Sequence, residues 1–149
     1  MCLSVTGAET IDGITRTGFA DDDDIPMWLK PYISAGLMSG VINGSRNEYG
    51  RVVFNSCAPI TFAEAAVIIN RALQITDVTH VSFADSDVVP AWAQSAAANL
   101  TSTGIIPSGL AGVADEYVTR GDAAMMLLRS TEVLEARAPR GGGLLGWAR

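Results

Sequence analysis

The sequence predicts a mainly helical, all-α fold built from a duplicated unit. Apolar residues recur at the three- and four-residue spacing of amphipathic helices. Two Thr-x-x-acid boxes mark helix starts. Three further segments each recur at an offset of 64 residues: Phe-Ala-Asp at 19–21 and 83–85, Pro-x-Trp at 26–28 and 90–92, and Gly-x-Ile at 40–42 and 104–106. We therefore expect tandem helix-loop-helix repeats that pack as a pseudo-symmetric bundle.

The first helix of each copy is expected to begin at the Pro-x-Trp segment and to end at a glycine. In copy one, Trp28 opens the helix, Pro31 is tolerated because it falls in the first turn, and Gly40 terminates it. The matching residues of copy two are Trp92 and Gly104. The core-facing positions expected in copy one are Leu29, Ile33 and Leu37.

Acidic residues precede this helix in both copies. Asp23 or Asp24 in copy one, and Asp87 in copy two, suit a helix N-terminus through capping and through the helix dipole. The four aspartates at 21–24 lack the alternating oxygen ligands, the turn glycine and the distal glutamate of an EF-hand loop. A solvated, helix-capping role is therefore expected for this acidic run.

The second helix of each copy is expected to begin with a capping box. Thr61 and Glu64 form the box in copy one, and Thr119 and Asp122 form it in copy two. These boxes are offset by 58 residues, so copy two has a shorter loop between its helices. In copy one, residues 51–54 of this loop could form a short extended segment. Apolar residues follow the first box at helical spacing: Ala65, Ile68, Ile69, Ala72 and Leu73.

The duplication divides the chain into five segments. The repeats span 19–74 and 83–137, and residues 75–82 link them. Residues 138–149 are rich in glycine and are expected to be a flexible tail. Residues 1–18 are interpreted as the remnant of a preceding repeat, followed by a linker.

Composition and charge exclude several classes of function. The chain has 149 residues, of which 48% are hydrophobic and 17% are charged, so it is not a disordered tail. No apolar run is long enough for membrane insertion. A net charge of −6 argues against nucleic-acid partners. The N-terminal residues do not resemble a signal peptide, so the chain is expected to be cytoplasmic or a piece of a longer exported protein.

The chain also lacks the residue sets that catalysis and metal binding require. Cys2 and Cys57 give no disulfide framework, and His80 stands in the linker without the partners of a catalytic or metal-binding histidine. Gly-rich residues 141–143 do not form a phosphate-binding loop. We therefore expect no enzyme activity, no metal and no cofactor. An enzyme would need a second domain outside this chain.

The ordered set of segments, occurring twice, resembles the S-layer homology (SLH) family. The resemblance covers residues 19–74 and 83–137. In that family, three repeats usually pack into a pseudo-threefold helical domain. This domain holds surface proteins to cell-wall polysaccharide, often an anionic, pyruvylated polymer, in grooves between repeats. The resemblance implies a non-catalytic anchoring module, located extracellularly at the bacterial cell surface or cell wall.

The resemblance also implies a set of ligand-binding residues. The arginine of the family's Thr-Arg-Ala-Glu motif matches Arg120 in copy two, whereas Phe62 stands at that place in copy one. A guanidinium at a helix N-terminus, beside free backbone N–H groups, suits a carboxylate. Arg71 and Arg129, late in the second helices, are instead expected to make ion pairs. The remaining ligand-binding residues expected are Trp28, Trp92, Asp23, Asp87, Gly40 and Gly104.

Two copies of a three-repeat pattern leave two interpretations of the architecture. The chain could hold repeats two and three of an incomplete pseudo-trimer, whose first repeat lies in a missing N-terminal part. Alternatively, it is a two-repeat protein that another chain completes. Function also has an alternative, because a helical protein-interaction or structural module could retain this fold without the sugar site.

Overall fold

The computed structural model describes residues 9–10, 12–76, 89–106, 108–110 and 112–138. Within these residues the chain is mainly helical, so the predicted all-α fold class is confirmed. The elements are α1 (Lys30–Met38), β1 (Ser45–Arg46), β2 (Val52–Val53), α2 (Phe62–Leu73), α3 (Gln94–Ser102) and α4 (Arg120–Arg137). Short 3-10 turns at Asp22–Asp24 and Met27–Leu29 precede α1.

The first helices of the two repeats end in the same way. Gly40 and Gly104 adopt positive φ angles of +72° and +77°, which a glycine tolerates without strain. Two residues later, Ile42 and Ile106 each donate their backbone N–H to the carbonyl six residues back, both at 3.0 Å. The predicted glycine terminators are therefore confirmed.

The second helices of the two repeats begin with the predicted capping boxes. In α2, the Thr61 hydroxyl accepts from the Glu64 N–H at 3.3 Å, and the Glu64 carboxylate accepts from the Thr61 N–H at 2.9 Å. In α4, Thr119 and Asp122 make the same pair at 3.2 and 3.0 Å. Hydrogen bonds from the Thr119 hydroxyl and N–H also lower the pKa of Asp122, since they stabilise the charged carboxylate.

The main core lies where α2, α3 and α4 meet. Alanines on α2 and α3 are fully buried there, so the two helices can approach closely around Leu100. Backbone bonds also join the loops that precede the second helices, since Phe62 donates to Glu116 at 3.0 Å and Val118 donates to Ile60 at 2.9 Å. The two repeats therefore share one core.

A smaller core lies in the first repeat, between the turns and the hairpin. The rings of Phe19 and Phe54 pack with their centroids 5.7 Å apart, next to Ile25 and Ile33. Strands β1 and β2 form an antiparallel pair, so the extended segment expected at residues 51–54 is confirmed.

The acidic run is solvated as expected at Asp23 and Asp24, but it differs from the expected solvated, helix-capping role at Asp22. Asp22 is buried and accepts hydrogen bonds from Lys30 Nζ at 2.7 Å and from the Thr17 N–H and hydroxyl at 2.7 Å. No side-chain hydrogen bond caps α1, whose N-cap residue is Leu29. The physical reason is that Lys30 is itself buried, so its charge requires a buried counter-charge. These bonds also hold the pKa of Asp22 far below its usual range.

One predicted core position also differs. Leu37 is 37% exposed, whereas Ile33 is buried as expected. Because the chain turns back at Gly40, Ile42 covers Gly36 instead, and its Cδ1 lies 2.6 Å from where a Cβ on Gly36 would stand.

Several expectations fall outside the described residues. These include His80, Cys2, Asp87, half of the segment assigned as the N-terminal remnant, and most of the linker and the tail. The boundaries of the repeats stay predictions. Among the residues described, no helix combines the length and apolar character needed to cross a bilayer.

Candidate functional site

An open groove of about 480 Å³ lies between the two repeats. Loops 41–45 and 54–60 of the first repeat line it together with one face of α2, and Trp92 of the second repeat contributes its indole. Much of the lining is apolar: Val41, Ile42, Phe54, Ala58, Pro59, Ile60, Val67 and Ile68. The groove therefore has the mixed apolar and polar lining of a small-ligand site.

The Phe-Ala-Asp segment of the first repeat positions one rim of the groove. The Asp21 carboxylate accepts hydrogen bonds from the backbone N–H groups of Phe54 at 2.9 Å and Asn55 at 2.7 Å. Asn55 adopts a left-handed conformation with φ +56°, and its side chain donates to the Ser45 hydroxyl at 3.3 Å. Asp21 thus fixes the turn at Phe54 and Asn55. From the sequence, Asp21 was expected to belong to the solvated acidic run.

A close backbone approach at Gly44, next to Ser45, shapes the same part of the rim. Its φ is +69°, and a Cβ there would lie 2.5 Å from the Phe19 ring and 2.6 Å from the Val53 carbonyl oxygen. Any larger residue would push the loop away from the hairpin, so glycine is required here for both conformation and space.

Two charged side chains line the groove among the residues that the structure describes, Arg71 and Glu64. Arg71 Nη1 donates to the Asn43 side-chain oxygen at 3.0 Å, with the amide oriented so that its nitrogen donates to the Ile42 carbonyl at 3.2 Å. The Glu64 carboxylate is engaged by the N–H and hydroxyl of Thr61 in the capping box. The guanidinium is therefore the charged group of the groove with donors left for a ligand.

Ion pairs were expected for both late-helix arginines, and among the described residues these side chains make other contacts. Within the described chain, no salt bridge involves Arg71 or Arg129. Arg129 Nη1 instead reaches the Ile105 carbonyl at 3.5 Å. Both arginines therefore contact the loop that follows the first helix of their own repeat. The acceptors there are an amide oxygen for Arg71 and a backbone carbonyl oxygen for Arg129.

Of the predicted ligand-binding residues, Trp92 lines the groove, and it is 60% exposed. Arg120 is the exposed first residue of α4 and does not line the groove. Four other predicted residues also lie outside the groove lining: Trp28, Asp23, Gly40 and Gly104. Asp87 is outside the described residues.

Sequence reasoning missed Arg71 and Asn43 as groove residues. A signal for Arg71 was present, because it lies seven residues after Glu64 and therefore on the same face of α2. No comparable signal marked Asn43, since its place depends on how the loop after α1 folds back over α2.

The groove presents chemistry suited to a polyhydroxylated anion. The Trp92 indole offers a face for stacking, Asn43 and Asn55 offer amide groups, and Arg71 offers a planar cation. In the part of the chain that is described, no cluster of three or more His, Cys, Asp or Glu side chains could hold a metal ion.

Comparison with known proteins gives one partial relationship. No family model matches the chain. A stretch of 61 residues, 41% of the chain, is 36% identical to the surface-layer 125 kDa protein of Lysinibacillus sphaericus. The matched stretch covers 5% of that protein's length. Part of this chain is thus similar to a small part of a surface-layer protein.

Proposed function

We propose that this chain is a non-catalytic anchoring module of the bacterial cell envelope, of the SLH type. It binds an anionic, pyruvylated cell-wall polysaccharide in the groove between its repeats. The observation that carries the proposal is the meeting of Arg71 from the first repeat and Trp92 from the second in one groove. It acts by equilibrium binding, at the cell surface.

The groove offers a separate contact for each part of such a ligand. A sugar ring has an apolar C–H face that stacks on the Trp92 indole, and hydroxyls that pair with the amides of Asn43 and Asn55. A pyruvyl carboxylate pairs with the guanidinium of Arg71, because Asn43 occupies Nη1 and leaves the other donors of the fork free for a ligand.

The similarity to a surface-layer protein supports a role at the cell surface. It concerns part of the chain and a small part of that relative, so the polymer itself is inferred from the chemistry of the groove. Arg120 remains a proposed contact at the beginning of α4, outside this groove.

A cosedimentation assay on purified Gram-positive cell walls tests the proposal. We expect the chain to bind intact walls and to lose binding when the anionic polymer is extracted. Arg71→Ala should weaken binding roughly tenfold or more, because a charge-assisted hydrogen bond contributes about 1.5–3 kcal/mol. Trp92→Ala should weaken it through the loss of stacking.

Matched controls come from the equivalent positions of the other repeat. Arg129→Ala and Trp28→Ala remove the same side chains outside the groove and should leave this binding within about twofold, which corresponds to roughly 0.4 kcal/mol. Equal losses from Arg71→Ala and Arg129→Ala would contradict the assignment of the groove. A loss from Arg120→Ala alone would move the site to the beginning of α4.

The second candidate is a helical protein-interaction module without a sugar site. It is favoured by Phe62, which stands where the SLH motif has arginine and packs against the main core. A folded chain that has no affinity for walls of any composition would support this candidate and exclude the first.

A further inference from the structure

The loop that follows α1 carries an Asn-Gly pair at the edge of the groove. The chain contains five asparagines, and Asn43 is the one that precedes a glycine. Asn43 and Gly44 both line the groove, and both are exposed. Asparagine is among the thermally labile side chains. A following glycine favours its reaction, because no Cβ hinders attack by the glycine nitrogen on the asparagine side chain.

The nitrogen that would attack is not held by secondary structure. In the described part of the chain, the Gly44 N–H donates no backbone hydrogen bond, and the pairing of β1 with β2 begins one residue later, at Ser45. The Gly44 nitrogen can therefore approach the Asn43 side chain without loss of a hydrogen bond of the hairpin.

Arg71 contacts the oxygen on which negative charge develops during this attack. Its Nη1 donates to the Asn43 side-chain oxygen at 3.0 Å. Attack on Asn43 Cγ turns that oxygen into an oxyanion, and a guanidinium already hydrogen-bonded to it stabilises the charge. The amide nitrogen, which has to leave, donates to the Ile42 carbonyl at 3.2 Å. These two contacts hold the amide with its carbonyl oxygen toward the cation.

We propose that Asn43 is a self-modification site, at which loss of the amide closes the groove to anionic ligands. The Gly44 nitrogen bonds to Asn43 Cγ, its proton passes to the amide nitrogen, and that nitrogen leaves as ammonia. Water then opens the resulting succinimide by adding to one of its carbonyl carbons, and the Gly44 nitrogen recovers a proton. The net reaction consumes one water and releases one ammonia, and it needs no oxidant or reductant.

The new carboxylate forms beside the cation of the groove. It accepts from the guanidinium of Arg71 through both oxygens, which engages the donors and balances the charge that a ligand carboxylate requires. The Ile42 carbonyl repels a carboxylate, so the new group turns toward Arg71. Glu64, the other charged residue of the described lining, is itself an acid. Closure to anions rests on the proposed function, whereas the modification itself does not.

Opening of the succinimide at its backbone carbonyl gives a second product, isoaspartate, in which the chain runs through the former side chain. This product adds one atom to the backbone before Gly44. Space is tight there, since a Cβ on Gly44 would lie 2.5 Å from the Phe19 ring and 2.6 Å from the Val53 carbonyl oxygen. The longer backbone has to displace the loop from the hairpin, so both products alter the groove.

Peptide mapping by mass spectrometry, after storage of the full chain in mildly alkaline buffer, tests the modification. We expect conversion of amide to acid at Asn43 to be roughly tenfold faster or more than at Asn55, an exposed asparagine of the same repeat that precedes serine. An Asn43 that converts no faster than Asn55 would overturn the proposal.

Variants of Arg71 test its part in the reaction. Arg71→Ala should slow conversion at Asn43 roughly tenfold, because the developing oxyanion loses its donor. Arg71→Lys keeps a cation and should restore most of the rate. Arg71 is exposed, so neither variant removes a core side chain. Equal rates in the parent chain and in Arg71→Ala would overturn the assigned role of Arg71.

Cosedimentation with cell walls tests closure of the groove separately. Asn43→Asp should bind roughly tenfold more weakly than the parent chain, and Asn43→Gln, which adds no charge, should lose less. Stored parent chain should lose binding in step with conversion at Asn43. Binding of Asn43→Asp as tight as that of the parent would overturn closure. A fresh parent chain that does not bind walls would refute the proposed function and closure together, while the mass measurement would still decide the modification.

Discussion

Substitution of one alanine in each second helix measures how differently the two repeats are packed. Ala66 on α2 is fully buried, and Ala124 at the equivalent position of α4 is exposed. Leucine at position 66 must force apart a helix pair that packs through small residues, so Ala66→Leu should destabilise the protein by about 1–3 kcal/mol. Ala124→Leu should stay within about 0.5 kcal/mol of the parent protein. Helix propensity changes little and equally in both variants.

Urea unfolding followed by circular dichroism at micromolar concentration provides the assay. Dilute protein keeps any self-association from adding to the apparent free energy of unfolding. The midpoint should fall for Ala66→Leu and stay in place for Ala124→Leu, with the denaturant slope unchanged in both. Equal destabilisation of the two variants would refute the inference that α2 is covered and α4 is open on this face.

Three further predictions concern the turns and the helix starts. The pKa of Asp22 is depressed in the folded state, so its contribution to stability is present above the unfolded pKa of about 3.9 and is lost as the pH falls below it. When unfolding is measured as a function of pH, Asp22→Asn should lack that part of the acid destabilisation. Gly44→Ala should lower the melting temperature much more than Gly104→Ala, since both positions have positive φ but the Cβ meets other atoms only at residue 44. In urea titrations, Thr119→Ala should destabilise the protein by about 1 kcal/mol through loss of the cap on α4, and Thr119→Ser should restore most of it.

The ends of the helices could be predicted because their causes are local. A capping box or a terminating glycine acts through atoms within one turn of the helix, as the bonds at Thr61 and Gly40 show. The Pro31 position in the first turn of α1 follows from the same kind of steric rule. Such features are independent of what the rest of the chain does.

The buried ion pair could not be predicted in this way. Asp22 looks like its three acidic neighbours in sequence, and it differs from them because Lys30 lies inside the fold and needs a counter-charge. The four aspartates at 21–24 are expected to be solvated unless it is known that Lys30, eight positions after Asp22, is buried. Sequence pattern gives the residue types but not the pairing.

The groove shows why site residues are harder to predict than helices. Asp21 acts on Phe54 and Asn55, which lie more than thirty positions away, and Trp92 reaches the groove from the other repeat. Family resemblance pointed to the motif arginine at the start of the second helix, because that position is recognisable in sequence. In this fold, the groove between repeats runs along the side of α2, so the arginine that faces it is the one on the same face as Glu64. Whether a helix residue lines this groove depends on which face of its helix lies toward the neighbouring repeat. The packing of the repeats determines that face.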